Sequence, residues 1–248
     1  MPSARRWAFA VLAALLSATV GWAQSPLVAE LREVEKRYHQ DPSRLDRIRA
    51  GLEAALRTDA HVQNHVALGQ VCFIWGDIRA RTTDEKLAAY DRGREAAKRA
   101  MEVEPRNLWA HFWFATNTAR WGQTKGIVRS LFLLPTVQGE IQLMLDLDPR
   151  FAPAYSLAGH VAYEVPALLG GSLDRAEEMF RKGLALAPTF TGMRVGLGKT
   201  LVRKGRLAEA RRELRAVLDE RAPENPADWT LKDAKEAQAL LDSIRGQS

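Results

Sequence analysis

Residues 173–188 read LDRAEEMFRKGLALAP, and residues 194–210 read RVGLGKTLVRKGRLAEA. Apolar residues in both stretches recur at steps of three and four, as Ala176 and Phe180 do, and this is the spacing of one face of an α-helix. Pro188 follows the first stretch one turn beyond its apolar face, where a proline readily ends a helix. Similar spacing continues along most of the chain, and no segment alternates apolar and polar residues for long. The sequence therefore predicts an all-α protein.

Prolines recur after similar apolar runs, at Pro105, Pro149, Pro188 and Pro223, and this recurrence indicates a repeat. The repeat resembles the tetratricopeptide pattern, in which a first helix carries Leu-Gly and an aromatic residue, and a second helix carries Ala-x3-Phe before a proline. The last two units match this pattern well, and the two before them diverge from it. The residues predicted to pack the helices of a unit together are Gly69, Ala115, Gly159, Ala176, Phe180, Gly198 and Ala210.

Small residues at these positions have a mechanical reason. We expect Gly159 and Gly198 to lie where the first helix of a unit crosses the second closely, with Ala176 and Ala210 facing them. A larger side chain would push the two helices apart, and such overpacking typically costs about 1–3 kcal/mol.

The predicted architecture is an α-α superhelix of about four tetratricopeptide-like helix pairs. The pairs occupy residues 61–229, N-terminal helices precede them at residues 24–60, and a polar-faced C-terminal capping helix follows at residues 230–248. Capping elements of this kind cover the open end of a repeat array.

The first two pairs are longer than the ideal unit, by about ten residues over 34. We expect the additional residues to form loops between the two helices of each pair, at residues 78–84 and 126–136, with a shorter extra loop at residues 165–171. Lengthened loops on one edge of a solenoid are common places for function.

The N-terminus has the pattern of a secretory signal peptide. Arg5 and Arg6 precede an uncharged apolar run at residues 7–20, and small residues then stand at the two positions that a signal peptidase reads. We expect cleavage after Ala23, which makes residues 1–23 a signal peptide and the mature protein periplasmic. A membrane anchor is the alternative, but the run is shorter than the roughly 20 residues that span a bilayer. The export route, general or twin-arginine, stays open.

Composition narrows the classes of partner. The formal net charge is +6, and loss of Arg5 and Arg6 with the signal peptide would leave +4 (6 − 2). This charge is mild and no long block of like charge occurs, so nucleic acid is not a predicted partner. Cys72 is the only cysteine, so we expect no disulfide within the chain. Since no cysteine directly follows the predicted cleavage site, we also expect no lipid-modified cysteine there. No stable membrane anchor is therefore expected.

Two stretches match part of a known catalytic or nucleotide-binding motif, but each lacks a residue that the motif needs. His61 and His65 are four residues apart, but no glutamate follows the first histidine, so the metalloprotease pattern is missing. Residues 196–200 read GLGKT, like the end of a phosphate-binding loop, but Met193 stands where that loop needs a glycine. The sequence predicts a protein that is not an enzyme and uses no metal or cofactor. Stoichiometric zinc in the purified protein would argue against this prediction.

Two tetratricopeptide families share features with the chain. Residues 163–171, YEVPALLGG, followed by AEEMF at residues 176–180, resemble the T-component family associated with bacterial TRAP transporters. This resemblance implies a periplasmic partner of a solute-binding protein, with a pore for an apolar ligand. Many members of that family are lipoproteins, whereas this chain lacks the anchoring cysteine.

The second resemblance is to the regulator of microtubule dynamics family, whose bacterial members share the same architecture. It is carried by DEK at residues 84–86 with Tyr90 and Gly93, by HFWFA at residues 111–115, and by the Gly-Ile pair that follows at residues 126–127. Together the two resemblances cover about residues 60–245.

One predicted helix carries an unusual number of aromatic residues, around Trp109, Trp113 and Trp121. These side chains span most of the circumference of the helix, so they cannot all be buried on a single face. Either some of them line a groove for a peptide or an apolar molecule, or they pack beneath the apolar insertion at residues 126–136. The residues predicted to bind a partner are Trp109, His111, Trp113, Trp121, Phe132, Tyr155, His160, Tyr163 and Glu164.

These observations favour a binding protein. The first hypothesis is a periplasmic scaffold whose concave aromatic face holds a protein partner or an extended peptide. The alternative is an accessory of a TRAP transporter that binds a solute receptor or a small apolar ligand.

Overall fold

A computed structural model describes residues 25–247, and every regular element among these residues is helical. The predicted signal peptide and its cleavage site lie outside the described residues. The helices are α1 Pro26–Val34, α2 Ser43–Ala55, α3 Val62–Ile78, α4 Thr83–Val103, α5 Leu108–Lys125, α6 Ile127–Leu147, α7 Ala152–Glu164, α8 Leu173–Leu186, α9 Thr191–Arg203, α10 Leu207–Leu218, α11 Pro226–Asp228 and α12 Ala234–Ser243.

Local signals in the sequence explain where several helices begin. Thr82 and Glu85 form a reciprocal capping box at the start of α4, which satisfies backbone N–H groups that have no partner within the helix. Asn107 accepts a hydrogen bond from the backbone of Ala110 at 3.1 Å and so caps α5. Ser172 caps α8 in the same way. Each cap follows a short connection, so successive helices run back and forth.

Consecutive helices pack as pairs, and successive pairs stack on one another. The pairs α3–α4, α5–α6, α7–α8 and α9–α10 are the four predicted units, α1 and α2 pack in front of α3, and α12 packs against α10. This is the all-α superhelical repeat predicted from the sequence. Among residues 25–247, no helix combines the length and the apolar character needed to cross a bilayer.

Glycines mark the closest crossings inside the last two units. A Cβ atom at Gly159 would stand 2.6 Å from the ring of Phe180, and one at Gly198 would stand 2.6 Å from the side chain of Leu214. Ala176 and Ala210 are fully buried nearby. The predicted close crossings therefore exist, but a large side chain of the second helix, and not the alanine, fills the space left by each glycine.

The prediction of long loops in the first two units is wrong. Residues 126–136 form the first half of α6 after the cap residue Gly126, and residues 79–82 are a short connection. The additional residues lengthen helices, because their apolar side chains recur at helical spacing: Leu133 reaches Gly122 of α5, and Val137 is buried in the core between α5 and α6. Residues 165–171 do form a loop, with one turn of 3₁₀ helix at Ala167–Leu169.

Candidate binding surfaces

Side chains from the first helices of successive units meet along one face of the array, which we call the first-helix face. Arg120 of α5 donates to Asp77 of α3 at 2.7 Å. Further along, the ammonium group of Lys199 in α9 lies 5.4 Å from the centre of the Tyr163 ring in α7. The first-helix face therefore runs from α3 to α9 and is lined by charged and aromatic groups.

An aromatic cleft, called the Trp cleft below, opens at the N-terminal end of this face, where α1 lies beside α3 and α5. Trp109 stacks on Trp113 with ring centres 6.1 Å apart and meets the edge of Phe151 at 5.1 Å. Trp113 is 8% exposed and forms the floor, whereas Trp109 is 47% exposed and forms one wall. The cleft encloses about 560 Å³ and is lined by Val28, Leu31, Arg32, Glu35, Lys36, Gln63, Val66, Ala67, Gln70, Asn107, Trp109 and Trp113.

The rim of the Trp cleft is polar and carries both signs of charge. Gln70 donates a hydrogen bond to the carboxylate of Glu35, and burial raises the pKa of Glu35 above its ordinary value. Arg32 and Lys36 are exposed on the same helix end. An apolar floor with polar groups around it is the usual anatomy of a site that holds one or two large side chains of a partner.

His111 does not belong to this cleft, although the sequence analysis placed it there. The side chain is buried between α5 and α6, where one ring nitrogen lies 2.6 Å from the carboxylate of Glu140 and the other lies 2.9 Å from the carbonyl of Pro105. Residues 109, 111 and 113 are successively about 200° apart around a helix with 3.6 residues per turn. Two tryptophans can therefore share a face from which the histidine between them is excluded.

Trp121 and Phe132 lie away from the Trp cleft as well. The Trp121 ring lies under the guanidinium of Arg94 at 4.9 Å and close to Arg129 at 6.0 Å, so it packs between α4 and α6. Phe132 is 76% exposed on α6. Neither side chain lines the cleft, because Trp121 faces the second helices α4 and α6, whereas Phe132 is itself on the second helix α6.

The predicted residues of α7 divide between two places. His160 is exposed, with its ring edge-on to Phe180 at 5.0 Å, and Tyr163 lies under the guanidinium of Arg203 at 4.7 Å. Both belong to the first-helix face. Tyr155 donates to the carbonyl of Pro149 at 2.9 Å and so supports the start of its own helix.

Glu164 lines a second, smaller site, which we call the edge pocket. This pocket encloses about 290 Å³ where the first half of α6 meets the end of α7, and its wall is largely apolar. The segment at residues 126–136 meets the end of α7 here, and not over the aromatic helix. The lining residues are Thr118, Ala119, Gln123, Ile127, Ser130, Leu131, Leu133, Leu134, Val137, Val161, Glu164, Val165 and Pro166.

A buried polar cluster around Asp77 was missed by the sequence analysis. Besides Arg120, the Asp77 carboxylate accepts from Tyr90 at 2.6 Å, and the ammonium group of Lys232 lies 3.7 Å away. Although burial acts to raise it, the Arg120 and Lys232 charges hold the pKa of Asp77 below its ordinary value. The only signal in the sequence is one aspartate within the apolar helix α3. Within residues 25–247, no three His, Cys, Asp or Glu side chains are grouped to hold a metal ion.

Comparison with a solved tetratricopeptide structure supports the fold. A thermophilic tetratricopeptide protein from Thermus thermophilus matches with a TM-score of 0.63 and 20% identity, covering 86% of this chain and 97% of that one. A structure of MamA from Desulfovibrio magneticus is a more distant match, with a TM-score of 0.49 and 17% identity, covering 79% and 96%. No curated protein matches the chain.

Family profiles match two parts of the sequence. The tetratricopeptide repeat profile matches residues 167–232, which include α8 and the last regular unit, α9–α10. The profile of regulator of microtubule dynamics protein 1-3 matches residues 28–170, which is more than half of the chain and includes the Trp cleft. The chain therefore belongs to the regulator of microtubule dynamics protein 1-3 family, built on tetratricopeptide-type helix pairs.

Proposed function

We propose that this protein is a scaffold that binds a segment of a partner protein in the Trp cleft. The observation that carries the proposal is the stacked pair of Trp109 and Trp113, of which one ring is the floor of the cleft and the other is half exposed at its side. Tryptophans in partly enclosed pockets are the commonest energetic centres of protein interfaces. Stacked helix pairs also provide the extended surfaces on which repeat proteins bind their partners.

The surroundings of the two rings favour a peptide segment as the occupant. The floor accepts an apolar side chain, and the amide groups of Gln63 and Gln70 lie at the rim, within the reach of a peptide backbone. Arg32 and Lys36 favour an acidic group in the bound segment. Tetratricopeptide scaffolds bind partner proteins and generally do not catalyse reactions, which supports a binding role for this protein.

The first test replaces a single ring. Trp109→Ala should weaken binding of the partner by roughly 2 kcal/mol, or about thirtyfold, if Trp109 is an energetic centre of the interface. Trp121→Ala is the matched control, because it removes a half-buried tryptophan of the same helix on the other side. Calorimetry or a quantitative pull-down with the native partner provides the comparison.

The partner itself can be identified by photocrosslinking in intact cells. A photoreactive amino acid at position 109 should capture it, whereas the same group at position 132, exposed on α6, should not. Equal capture at both positions, or an affinity that Trp109→Ala and Trp121→Ala lower equally, would contradict the placement of the site.

We also propose that the protein acts in the periplasm after export. The arginine pair, the apolar run and the small residues before Ala23 support this proposal. Fractionation should find the protein in the periplasm, with Gln24 as its first residue by N-terminal sequencing. A membrane-bound product that retains Met1 would favour the anchor instead.

The edge pocket supports a second candidate function, that of a TRAP-associated accessory that carries a small apolar ligand. Its wall is largely apolar, and part of it comes from the loop at residues 163–171 that resembles the T-component family. Native mass spectrometry of the purified protein should then show a bound small molecule. Leu131→Trp, which fills the pocket, should abolish the bound mass, and a ligand-free wild-type protein would count against this candidate.

A further inference from the structure

The C-terminal part of the chain does more than cap the last unit. Beyond α10, which ends at Leu218, residues 219–225 are irregular, and the chain then reaches the opposite end of the array. Residues 225–233, called the clasp below, contain the short helix α11 and the π-helical turn Trp229–Asp233. The clasp contacts the end of α1, α3 and α9, so it joins the last unit to the first.

Polar contacts hold the clasp at its N-terminal side. Asn225 donates to the backbone carbonyl of Glu35 at 3.1 Å, and the hydroxyl of Tyr38 donates to Asp228. Both partners come from the segment that links α1 to α2. Glu35 also lines the Trp cleft, so the clasp begins where that cleft ends.

The clasp then covers the charged part of the first-helix face. Lys232 lies 2.8 Å from Asp228 and 3.7 Å from Asp77, whose other neighbours are Arg120 and Tyr90. At the far end, Asp233 accepts from Thr191 of α9 at 2.6 Å. A cation from the end of the chain thus helps to neutralise a carboxylate buried in the first unit.

Few apolar groups secure the clasp against the first units. Ala227 is fully buried and Leu231 partly buried in the core formed with α1, α2 and α3. Two small contacts of this kind add little apolar area on the side of the first units, where the other contacts are charged or polar. The large apolar group of the clasp, Trp229, packs against the core of the last units instead. Segments with few buried apolar contacts open locally at much lower free energy than the whole domain.

We propose that the clasp is an intramolecular ligand of the first-helix face and that it competes with the partner segment for this face. A segment that extends from the Trp cleft toward Asp77 meets the clasp at once, because Glu35 belongs to both places. The partner chemistry that fits is a helical turn with an acidic residue four positions before a lysine or arginine, and with alanine or leucine beside them. This partner assignment rests on the proposed scaffold function, whereas the occupancy of the face by the clasp does not.

The test uses the full chain and a synthetic peptide. Lys232→Glu places a carboxylate beside Asp77 and Asp228, so it should release the clasp, and hydrogen exchange at residues 225–233 should rise at least tenfold. A fluorescent peptide with the sequence of residues 224–236 should then bind at least tenfold more tightly than to the wild type, in which the tethered copy competes at a high effective concentration. A peptide carrying glutamate at the position of Lys232 should not bind.

Lys235→Glu is the matched control, because it reverses the same charge on an exposed residue three positions further on. Equal exchange and equal peptide affinity in the two variants would overturn the proposal. If Lys232→Glu does not fold, Tyr38→Phe removes only the hydroxyl that holds Asp228 and should raise exchange at residues 225–233 severalfold. Exchange at the wild-type rate in that variant would equally overturn it.

The peptide assay separates this proposal from the proposed function. Trp109→Ala should leave peptide binding to the Lys232→Glu variant unchanged, because the peptide binds around Asp77 and not in the Trp cleft. If the peptide binds but Trp109→Ala does not affect binding of the native partner, the proposed role of the clasp is confirmed and the assignment of the Trp cleft as the partner site is wrong.

Discussion

The environment of His111 is set by the face of the helix on which its side chain lies. Its two neighbours at 109 and 113 form the Trp cleft, whereas His111 itself is held between the Glu140 carboxylate and the Pro105 carbonyl. With Glu140 ionised, both ring nitrogens must donate, and only the protonated imidazole has two donors. The hydrogen bond from His111 to Glu140 therefore raises the pKa of His111 above 6.5.

The raised pKa of His111 predicts how the stability of the protein depends on pH. Because its pKa is raised in the folded protein, the stabilisation from the charged pair is fully present below about pH 6.5, the pKa in the unfolded chain, and is lost as the pH rises through the folded value. Glu140→Gln should bring the pKa of His111 back toward or below its ordinary value. NMR titration of the His111 ring protons measures this, and a pKa of about 6.5 or less in the wild type would contradict the prediction.

At the scale of helices, the crossing of α9 and α10 depends on the absence of one methyl group. Gly198→Ala should destabilise the protein by about 1–3 kcal/mol, because the new Cβ overlaps the buried side chain of Leu214. Gly139→Ala is the control: it lies within α6 with open space around it, so it should stabilise by about 0.5–1 kcal/mol. Urea denaturation of both variants gives the two free energies, and a loss of stability in both, or in neither, would contradict this account.

The sequence predicts the pairing of the last helices but not the length of α6. The pairing of α7 with α8 and of α9 with α10 could be predicted, because Gly159, Phe180 and Gly198 report contacts between neighbouring helices. Residues 126–136 were predicted as a loop because their number exceeded the ideal repeat length. Their apolar spacing was a better guide than their number, since it matches a helix that packs on α5.

At the scale of the whole molecule, the Asp77 cluster joins α3, α4, α5 and the clasp. No local pattern predicts it, because Lys232 and Asp77 are far apart in sequence. A lone charged residue on a helix is also ordinarily expected to be exposed. The two cleft tryptophans could be predicted because they lie four residues apart on one helix. The Trp cleft could therefore be foreseen only as far as one helix extends, and the contact between the clasp and Asp77 could not.

Removal of one member of the Asp77 cluster should lower the free energy of unfolding of the whole array. Arg120→Leu leaves a buried carboxylate with less compensation and should lower the free energy of unfolding by roughly 2 kcal/mol, less than for a fully enclosed pair because Arg120 is partly exposed. Asp77→Leu in addition should restore part of the loss. Arg129→Leu, at an exposed site of α6, should change stability little. Denaturation curves that show additive losses for the double variant would contradict the coupling.

The contact between Tyr38 and Asp228 has a consequence for the order in which the chain acquires its structure. An array of repeats ordinarily folds through contacts between neighbours in sequence, so its early units can be complete before the later ones are made. Here the first helices acquire their last partners from residues that leave the ribosome nearly at the end of synthesis. A nascent chain therefore keeps an unfinished N-terminal end, with Ala227 and Leu231 still missing from its core. Joining the two ends is a late, slow event, because the loop to be closed is almost the entire protein.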